Sequence, residues 1–514
     1  MNDGSPNAAI ILADFGSTQT KWSLLLQSGN GEHTLHRAAT QPSESERPLA
    51  DGGCEWNPRQ FLQRMVRLIL DASLEANKLG YIVRGICCTG TTTSTVAIRG
   101  RTLVPEIPAI RWDDQRASIE AATLENLRRE SNACPWMQVS ADSAPARALW
   151  LASRFKDLLQ PDLVILEQVD LIGQFWTGRL GLSSTIASRK WGFTNRLRWP
   201  DQFVRAANGL MGGCLGLMHP QAIVETGTVL GHILPSAVDI YGLAPFTSVI
   251  ASPYDTVAQV IGLGLLHEEN AVAVSFGTSM GVFALVRDSG DNMYTQYGPL
   301  PDVPFQGQGL LYDGLRSCAS AIDLACAMAL GPRGNDDAYF RRISSCLEET
   351  QPGSDGVSVL PYFNGGLRSR IGGEPIIRGF NDARRKQFVR AVFEAIGYHI
   401  RLIIEGFERA YRIRLGRILA GGGPSQNWDF MQLLANITGR DILVTDYPNA
   451  GLLGCAICGA TGLKWFDTPE SASQTLASHS LKFVPSERDK DRYNQLYDLY
   501  CREFLKNEAQ LAEA

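Results

Sequence analysis

Residues 11–26 read ILADFGSTQTKWSLLL, and residues 271–286 read AVAVSFGTSMGVFALV. In each stretch an apolar strand meets Phe-Gly and small hydroxyl residues, and a second apolar strand follows, which predicts a β-hairpin. Either turn alone is typical of an ordinary hairpin. Two copies, each opening one half of the chain, predict instead that backbone N–H groups and hydroxyls of both turns hold a polyphosphate between two domains.

Apolar strands and amphipathic helices alternate outside the hairpins. Apolar residues at helical spacing over 62–69 predict a helix, and residues 82–88 return as a strand. A long buried helix is predicted over 389–407, a strand over 417–420 and a terminal helix over 486–511. This order predicts the α/β class.

Length and composition narrow the class of protein. The 514 residues are too many for one ordinary core and favour two domains. Forty-eight Lys and Arg against 53 Asp and Glu give a net charge of −5, which argues against a nucleic-acid or anionic-membrane partner and favours a small molecule. Eleven Cys without repeated spacing, with no signal peptide or membrane-spanning run, predict a cytoplasmic protein.

Several familiar sites are missing from the sequence. No Gly-Lys dipeptide occurs, which excludes the P-loop, and no spaced-glycine dinucleotide fingerprint is present. Cys455 and Cys458 lie in an apolar run without a second pair, so we interpret them as buried helix residues. The seven His show no metal-ligand spacing.

The second hairpin also matches a serine-hydrolase motif. Residues 277–281 read GTSMG, the G-x-S-x-G nucleophile elbow, with Ser279 as the nucleophile and His399 or His479 as its base. An elbow requires a helix after the serine, whereas residues 282–286 are typical of a strand. The hydrolase therefore ranks below the phosphate hypothesis.

Two aspartates could carry chemistry. Asp255 opens an apolar stretch that predicts a helix, so it is either a helix cap or a general base that accepts a hydroxyl proton during attack on a γ-phosphate. Asp14 ends the first strand, so it is either a turn residue or a group that orients Mg²⁺ through water.

Two further segments could hold ligands. Residues 111–116, RWDDQR, could bind a polyhydroxylated ligand beside an indole or form a capped helix start with salt bridges. Residues 421–428 read GGGPSQNW, and three glycines let a flat ligand approach the backbone while Asn427 offers its amide.

Together these segments resemble the FGGY family of carbohydrate kinases, in the actin-like ATPase superfamily, and within it the xylulose (pentulose) kinases. The resemblance runs from about residue 10 to residue 465. The matching segments, in family order, are DFGSTQTKW, WDDQRA, GTVLG, SPYDTVAQVIGLG, SFGTSMG, RAVFEAIGY and GGGPSQNWDFMQLLANITGRDILV followed by GLLGCAICGA.

The resemblance implies an α/β protein of two ribonuclease-H-like domains with the active site in the cleft between them. Residues 1–265 would form the N-terminal kinase domain, with the sugar site, the first phosphate hairpin and the catalytic aspartate. Residues 266–514 would form the C-terminal kinase domain, with the second phosphate hairpin, the adenosine site and the terminal helix. A homodimer stays open as the assembly.

The resemblance also implies ATP and Mg²⁺ as cosubstrates and phosphoryl transfer to a hydroxyl of a ketose or polyol. Asp255 would be the base and would also face the metal and the sugar, and Asp14 would reach the metal through water. The other implied contacts are Gly16, Ser17, Thr18, Gly277 and Thr278 for the phosphates, Gly422, Gly423 and Asn427 for adenosine, and Thr92, Thr93 and Asp114 for the sugar.

The departures from the family pattern concern the substrate. Where xylulose kinases typically carry Met-His-Gly, this chain has Thr93 at the histidine position, and the Arg-Glu pair of glycerol kinases is missing too. A pentulose is favoured without assigning a named sugar. A sugar- or nucleotide-binding regulator that keeps the fold without catalysis is the alternative.

Overall fold

The computed structural model describes residues 7–17, 19–43, 49, 51–92, 94–213, 222–241, 243–287, 294–332, 337–363 and 374–513. Thr18 and Thr93, two of the residues implied by the resemblance, lie outside the described residues.

The strands are β1 Ala8–Phe15, β2 Gln19–Gln27, β3 His33–Pro42, β4 Ile82–Gly90, β5 Thr95–Arg99, β6 Thr102–Leu103, β7 Leu163–Glu167, β8 Leu182–Ser183, β9 Ile223–Val224, β10 Val229–His232, β11 Ser248–Ile250, β12 Ala271–Phe276, β13 Met280–Arg287, β14 Leu300–Pro301, β15 Gln308–Leu315, β16 Ser358–Leu360, β17 Ile376–Arg378, β18 Arg417–Gly422, β19 Asp441–Val444 and β20 Leu481–Phe483.

The helices are α1 Pro58–Lys78, α2 Ser118–Glu130, α3 Ala144–Arg154, α4 Gln168–Thr177, α5 Ser184–Ile186, α6 Asp201–Leu210, α7 Pro235–Tyr241, α8 Asp255–Gly262, α9 Ala319–Leu330, α10 Asp337–Glu348, α11 Arg385–Tyr411, α12 Trp428–Thr438, α13 Ala450–Gly462, α14 Pro469–Leu476 and α15 Lys490–Glu513.

Two large sheets repeat one strand arrangement. The first has the order β10-β11-β4-β1-β2-β3 and the second β14-β15-β13-β12-β18-β19-β20. In the first sheet the hairpin β1–β2 is followed by antiparallel β3 on one side and by parallel β4 and β11 on the other. In the second sheet the hairpin β12–β13 is followed in the same way by antiparallel β15 and by parallel β18 and β19. This repeated order is that of a ribonuclease-H-like domain, so the α/β class and both hairpins are confirmed.

Helices α8 and α13 join the two halves. Each follows the outer parallel strand of its own sheet, and the two pack closely against each other. Helix α13 also packs on β1 and β4 of the first sheet, and α8 contacts β12 of the second. We propose the domain boundary between residues 265 and 266, because α8 ends at Gly262 and the second sheet begins at Ala271.

The remaining sequence predictions agree with the elements observed. The long helix after residue 385 is α11, whose apolar residues are buried, and the strand that follows is β18. Cys455 and Cys458 are fully buried on α13, as predicted. Among the described helices, none has the length and apolar character needed to cross a lipid bilayer.

Candidate active site

The first hairpin presents an open turn beside a small pocket. The Ser43 hydroxyl donates to the Gly16 carbonyl oxygen at 2.7 Å and fixes the turn, while Ser17 is exposed. A Cβ at Gly16 would lie 2.9 Å from the Gln19 carbonyl oxygen, so the tight turn requires glycine. Arg64 and Arg111 line the pocket with the turn, and Nη1 of Arg64 is buried without a hydrogen bond to the described residues.

The second hairpin is anchored to the start of α9. Backbone N–H groups of Cys318 and Ala319 donate to the carbonyl oxygens of Thr278 and Gly277 at 2.7 and 3.0 Å. These bonds satisfy donors that the helix terminus would otherwise leave unpaired. Gly277 and Thr278 therefore lie exposed on a fixed turn.

The hydrolase hypothesis is wrong, because no helix follows Ser279. The serine lies in the turn between the antiparallel strands β12 and β13, so the strand–turn–helix geometry of a nucleophile elbow is missing. The proposed partner His399 is buried in α11 next to Tyr500, and burial lowers its pKa to about 3. His479 instead hydrogen-bonds the Leu263 carbonyl oxygen.

Asp255 is the first residue of α8, and its carboxylate is held in place. Its Oδ1 accepts the Thr92 hydroxyl at 2.8 Å and the Thr256 backbone N–H at 2.7 Å. Burial raises the pKa of Asp255, and the hydrogen bonds from Thr92 and Thr256 oppose that shift. Thr92, implied as a sugar contact, therefore donates its hydroxyl hydrogen to Asp255 and orients that carboxylate.

Asp14 lies at the end of β1, close to Asp255. Burial raises its pKa to about 7, the charge of Asp255 adds to the rise, and Lys21 opposes it. Its Oδ1 is buried and has no hydrogen-bond partner among the described residues. Its Oδ2 faces the start of α13, where a Cβ on Gly451 would lie 2.9 Å away. Two carboxylates and an unsatisfied oxygen therefore meet between the halves.

The glycine-rich segment 421–428 lies beside the second hairpin. Gly422 pairs with Phe276 across β18 and β12, has a φ of +102°, and would place a Cβ 1.9 Å from the Phe276 carbonyl oxygen. A Cβ at Gly423 would meet nothing within 4 Å, so the backbone there is open to a ligand. Asn427 caps α12 by accepting the Phe430 N–H at 2.9 Å, which leaves its amide nitrogen for a ligand.

Asp114 is buried, and protein donors occupy both of its oxygens. Oδ2 accepts from the Cys54 N–H and from Arg116 Nη2, each at 2.7 Å, and Oδ1 accepts the Arg116 N–H at 2.9 Å. A sugar hydroxyl would have to share or displace one of these bonds. Of the two alternatives for this segment, the internal ion pair is the one observed, and the sugar contact stays a prediction.

Sequence reasoning missed a group of buried charges near Asp255. Arg189 lies over the Tyr312 ring, 5.5 Å from its centroid, and Lys190 pairs with Asp142 at 2.5 Å. Burial raises the pKa of Tyr254, and both Arg189 and Asp255 are close enough to influence it. Two adjacent cations flanked by the apolar residues Ile186, Ala187, Trp191 and Phe193 were the signal that could have revealed this group.

Residues 272–463 match the model of the C-terminal domain of the FGGY family of carbohydrate kinases. Residues 272–463 therefore belong to this family. It is 23% identical over 512 residues to a xylulose kinase from Lactococcus lactis, a match that covers 98% of this chain and 97% of that protein. FGGY kinases transfer a phosphoryl group to a sugar or polyol, so the chain is a phosphotransferase.

Solved structures support the fold over nearly the whole length of the chain. A xylulose kinase from Rhodospirillum rubrum superposes with a TM-score of 0.84 at 18% identity, covering 98% of this chain and 100% of its own. A gluconate kinase from Lactobacillus acidophilus superposes with a TM-score of 0.81 at 18% identity, covering 99% of each chain. At this identity the likeness establishes the two-domain fold and leaves the substrate open.

Proposed function

We propose that the protein transfers the γ-phosphoryl group of ATP to a hydroxyl of a ketose or polyol, with a pentulose favoured, and that Asp255 is the general base. The observation that carries this proposal is the pair of carboxylates, Asp14 at the end of β1 and Asp255 at the start of α8, that lie close together. Asp255 accepts the proton of the sugar hydroxyl as its oxygen attacks the γ-phosphorus, and ADP leaves.

The orientation of Asp255 supports its role as the base. A base must hold a free lone pair toward the hydroxyl, and the bonds from Thr92 and Thr256 engage Oδ1. A pKa raised by burial brings the carboxylate nearer to the working range of a general base at neutral pH.

The surroundings of Asp14 fit Mg²⁺. A buried carboxylate oxygen that has no hydrogen-bond partner in the described part of the chain, next to a second carboxylate, is costly unless a cation or proton meets it. Hard cations prefer such oxygens together with phosphate oxygens and water. When bound, Mg²⁺ would neutralise charge that develops on the transferred phosphoryl group. Asp14 would hold it through water, with Asp255 facing it.

The proposed phosphate and nucleoside contacts lie on the two hairpin turns and on the glycine-rich segment 421–428. Gly16 and Ser17 on the first hairpin and Gly277 and Thr278 on the second offer N–H groups and hydroxyls to the phosphates. Gly422, Gly423 and the Asn427 amide offer an open face to adenosine. Arg64, beside the first turn, adds a positive charge.

The preference for a pentulose rests on similarity alone. The L. lactis and R. rubrum proteins are named xylulose kinases, whereas the L. acidophilus protein is named a gluconate kinase. The test is to incubate the protein with Mg-ATP and pentuloses, hexuloses, tetruloses, polyols or aldonates and follow ADP release against a blank without sugar. ADP formed with a single sugar would identify the substrate. Sugar-independent ADP release, or calorimetric binding of ATP and a panel sugar without ADP release, would contradict the proposal.

A non-catalytic regulator on the same fold is the competing function. It predicts ATP and sugar binding without ADP release, so calorimetric titration with each ligand separates it from an enzyme whose substrate is outside the panel.

We also propose a cytoplasmic location. The described cysteines form no disulfide, and all of them except Cys501 are buried.

Light scattering on the purified chain of 56.2 kDa distinguishes a monomer from a homodimer.

A further inference from the structure

Three metal-ligating side chains meet at the C-terminal end of α8. His267 and Glu268 follow that helix, and His479 precedes β20. One ligand atom of each lies within 4.8 Å of the other two, and all three residues are half-buried. The histidines show no metal-ligand spacing along the chain, but the fold brings together residues that lie far apart in sequence.

Protein groups already hold the outer nitrogen of each imidazole. Nε2 of His479 lies 3.0 Å from the Leu263 carbonyl oxygen, which only accepts, so Nε2 carries the proton and Nδ1 the lone pair. Nδ1 of His267 lies 2.9 Å from the Ser473 hydroxyl oxygen, and its Nε2 faces Glu268. Outer-nitrogen hydrogen bonds of this kind orient metal-ligating histidines.

Glu268 is oriented as well. Its Oε2 pairs with Nη1 of Arg417 at 2.7 Å, and its Oε1 lies 4.0 Å from Nε2 of His267. The gap between the rings requires Gly264, which has a φ of +88°, because a Cβ there would lie 2.9 Å from the His267 ring and 2.8 Å from the His479 ring.

The spacing is within reach of a metal ion. Zinc bonds of about 2.0–2.1 Å in a tetrahedron put ligand atoms about 3.4 Å apart. The observed limit of 4.8 Å therefore requires side-chain rotations that move the ligand atoms by about an ångström.

We propose that His267, Glu268 and His479 form a three-ligand site for a divalent transition metal of the zinc class, separate from the magnesium position in the cleft. Two imidazoles, one carboxylate and a water molecule form a ligand set that Zn²⁺ takes in proteins. Imidazole suits Zn²⁺, whereas Mg²⁺ prefers oxygen ligands.

The ion would connect three segments of the fold. It would hold the end of α8, the segment between α14 and β20, and, through Glu268 and Arg417, the start of β18. Helix α8 has eight residues and is about 12 Å long, and it separates Asp255 at its start from the site beyond its end. The ion takes no part in phosphoryl transfer, and it stabilises the folded state because it binds that state alone.

Equilibrium dialysis of the EDTA-treated full-length protein against Zn²⁺, with excess Mg²⁺ present, tests the proposal. We expect one Zn²⁺ retained per chain and a higher Tm with Zn²⁺ than with Mg²⁺ alone. Substituting Co²⁺ should give a visible spectrum without thiolate charge-transfer bands, since the ligands are nitrogen and oxygen. Glu268→Gln keeps the side-chain volume and should weaken binding by about tenfold or more.

The matched control is Glu269→Gln, which changes the adjacent exposed carboxylate and should bind as the wild type does. His267→Ala and His479→Ala should abolish binding, whereas His232→Ala, at an exposed histidine elsewhere, should not. Circular dichroism in EDTA checks that each variant folds. If a histidine variant does not fold, zinc binding by Glu268→Gln tests the proposal instead. The proposal is overturned if the wild type retains no Zn²⁺, or if Glu268→Gln retains it fully, since the ion is then adventitious or held elsewhere.

Discussion

Asp255 is the residue on which the proposed chemistry depends. Asp255→Asn keeps the shape of the side chain but removes the proton acceptor, so kcat should fall by about 10²–10⁴-fold while calorimetry shows ATP binding within a few-fold of the wild type. Asp201→Asn is the matched control, because Asp201 is the first residue of α6 just as Asp255 is of α8, but is exposed. Near-normal turnover in Asp255→Asn would exclude Asp255 as the base.

Thr92 is expected to act through Asp255. Thr92→Val removes a hydrogen bond to a charged group, worth about 1.5–3 kcal/mol, so kcat should fall by about 10- to 150-fold with a smaller change in the KM for sugar. Thr92→Ser restores the hydroxyl and should recover most of kcat. A direct sugar contact would instead raise KM, and Thr92→Val kinetics over a range of sugar concentrations distinguish the two roles.

Asp14 should lower the free energy of unfolding of the ligand-free protein in a pH-dependent way. Its folded pKa of about 7 lies above the ordinary value of 3.8, so the unfolded chain loses this proton first, and the unfavourable contribution grows between about pH 4 and pH 7. Asp14→Asn should therefore stabilise the ligand-free protein at pH 8, by on the order of 1–4 kcal/mol, and have little effect at pH 4.

Unfolding of ligand-free wild type and Asp14→Asn across that pH range measures the effect, and added Mg²⁺ at pH 8 should stabilise only the wild type. Asp71→Asn, at an exposed carboxylate of α1, should show no such pH dependence. An Asp14→Asn difference independent of pH would show that Asp14 titrates normally.

At this scale the residue patterns alone marked Asp14 and Asp255 as separate candidates, and only the family resemblance brought both to one metal. Hairpin turns and helix starts are local patterns, but contacts between residues far apart follow from how the halves pack. Thr92 and Asp255, whose bond spans 163 residues, illustrate the limit, as do the buried cations at Arg189 and Lys190. For Asp114, the local pattern allowed a salt bridge but did not indicate that the carboxylate would be buried, with Arg116 and the Cys54 N–H on its oxygens.

Among the elements, the crossing of α8 and α13 is the tightest contact between the halves. A Cβ on Gly454 would lie 1.9 Å from the Ala258 carbonyl oxygen, and one on Gly262 would lie 1.9 Å from that of Ala450. The strands and helices themselves were predictable from periodicity, because each buries one regular face. The packing of α13 on the first sheet and of α8 on the second was not predictable. The sequence of a Gly-rich apolar helix does not indicate which element it will contact.

Gly454→Ala should force the two helices apart. Overpacking of this kind costs about 1–3 kcal/mol of folding free energy, and because α8 begins at Asp255 the displacement should also lower kcat. Gly209→Ala is the control, since Gly209 lies in α6 with no described atom within 4 Å of its Cβ position, and should stabilise slightly. Urea unfolding and kcat of both variants test this, and wild-type stability in Gly454→Ala would mean that the crossing is loose.

For the whole molecule, the position of one proposed phosphate-binding hairpin on each half predicts that ligands draw the halves together. The turns at Gly16 and Gly277 belong to different sheets, so one polyphosphate can contact both only across the cleft. Closure would also exclude water, which otherwise competes with the sugar hydroxyl for the γ-phosphate.

The radius of gyration, about 24 Å for a compact chain of this length, should therefore decrease when Mg²⁺, a non-hydrolysable ATP analogue and the sugar are bound together. Either ligand alone should give a smaller change, because each then bridges the cleft incompletely. Asp255→Asn provides the control, since it should close with ATP itself without turning it over. X-ray scattering at saturating ligand measures the change, and an unchanged radius would mean that the cleft is already closed in the free protein and that water is excluded by its fixed walls instead.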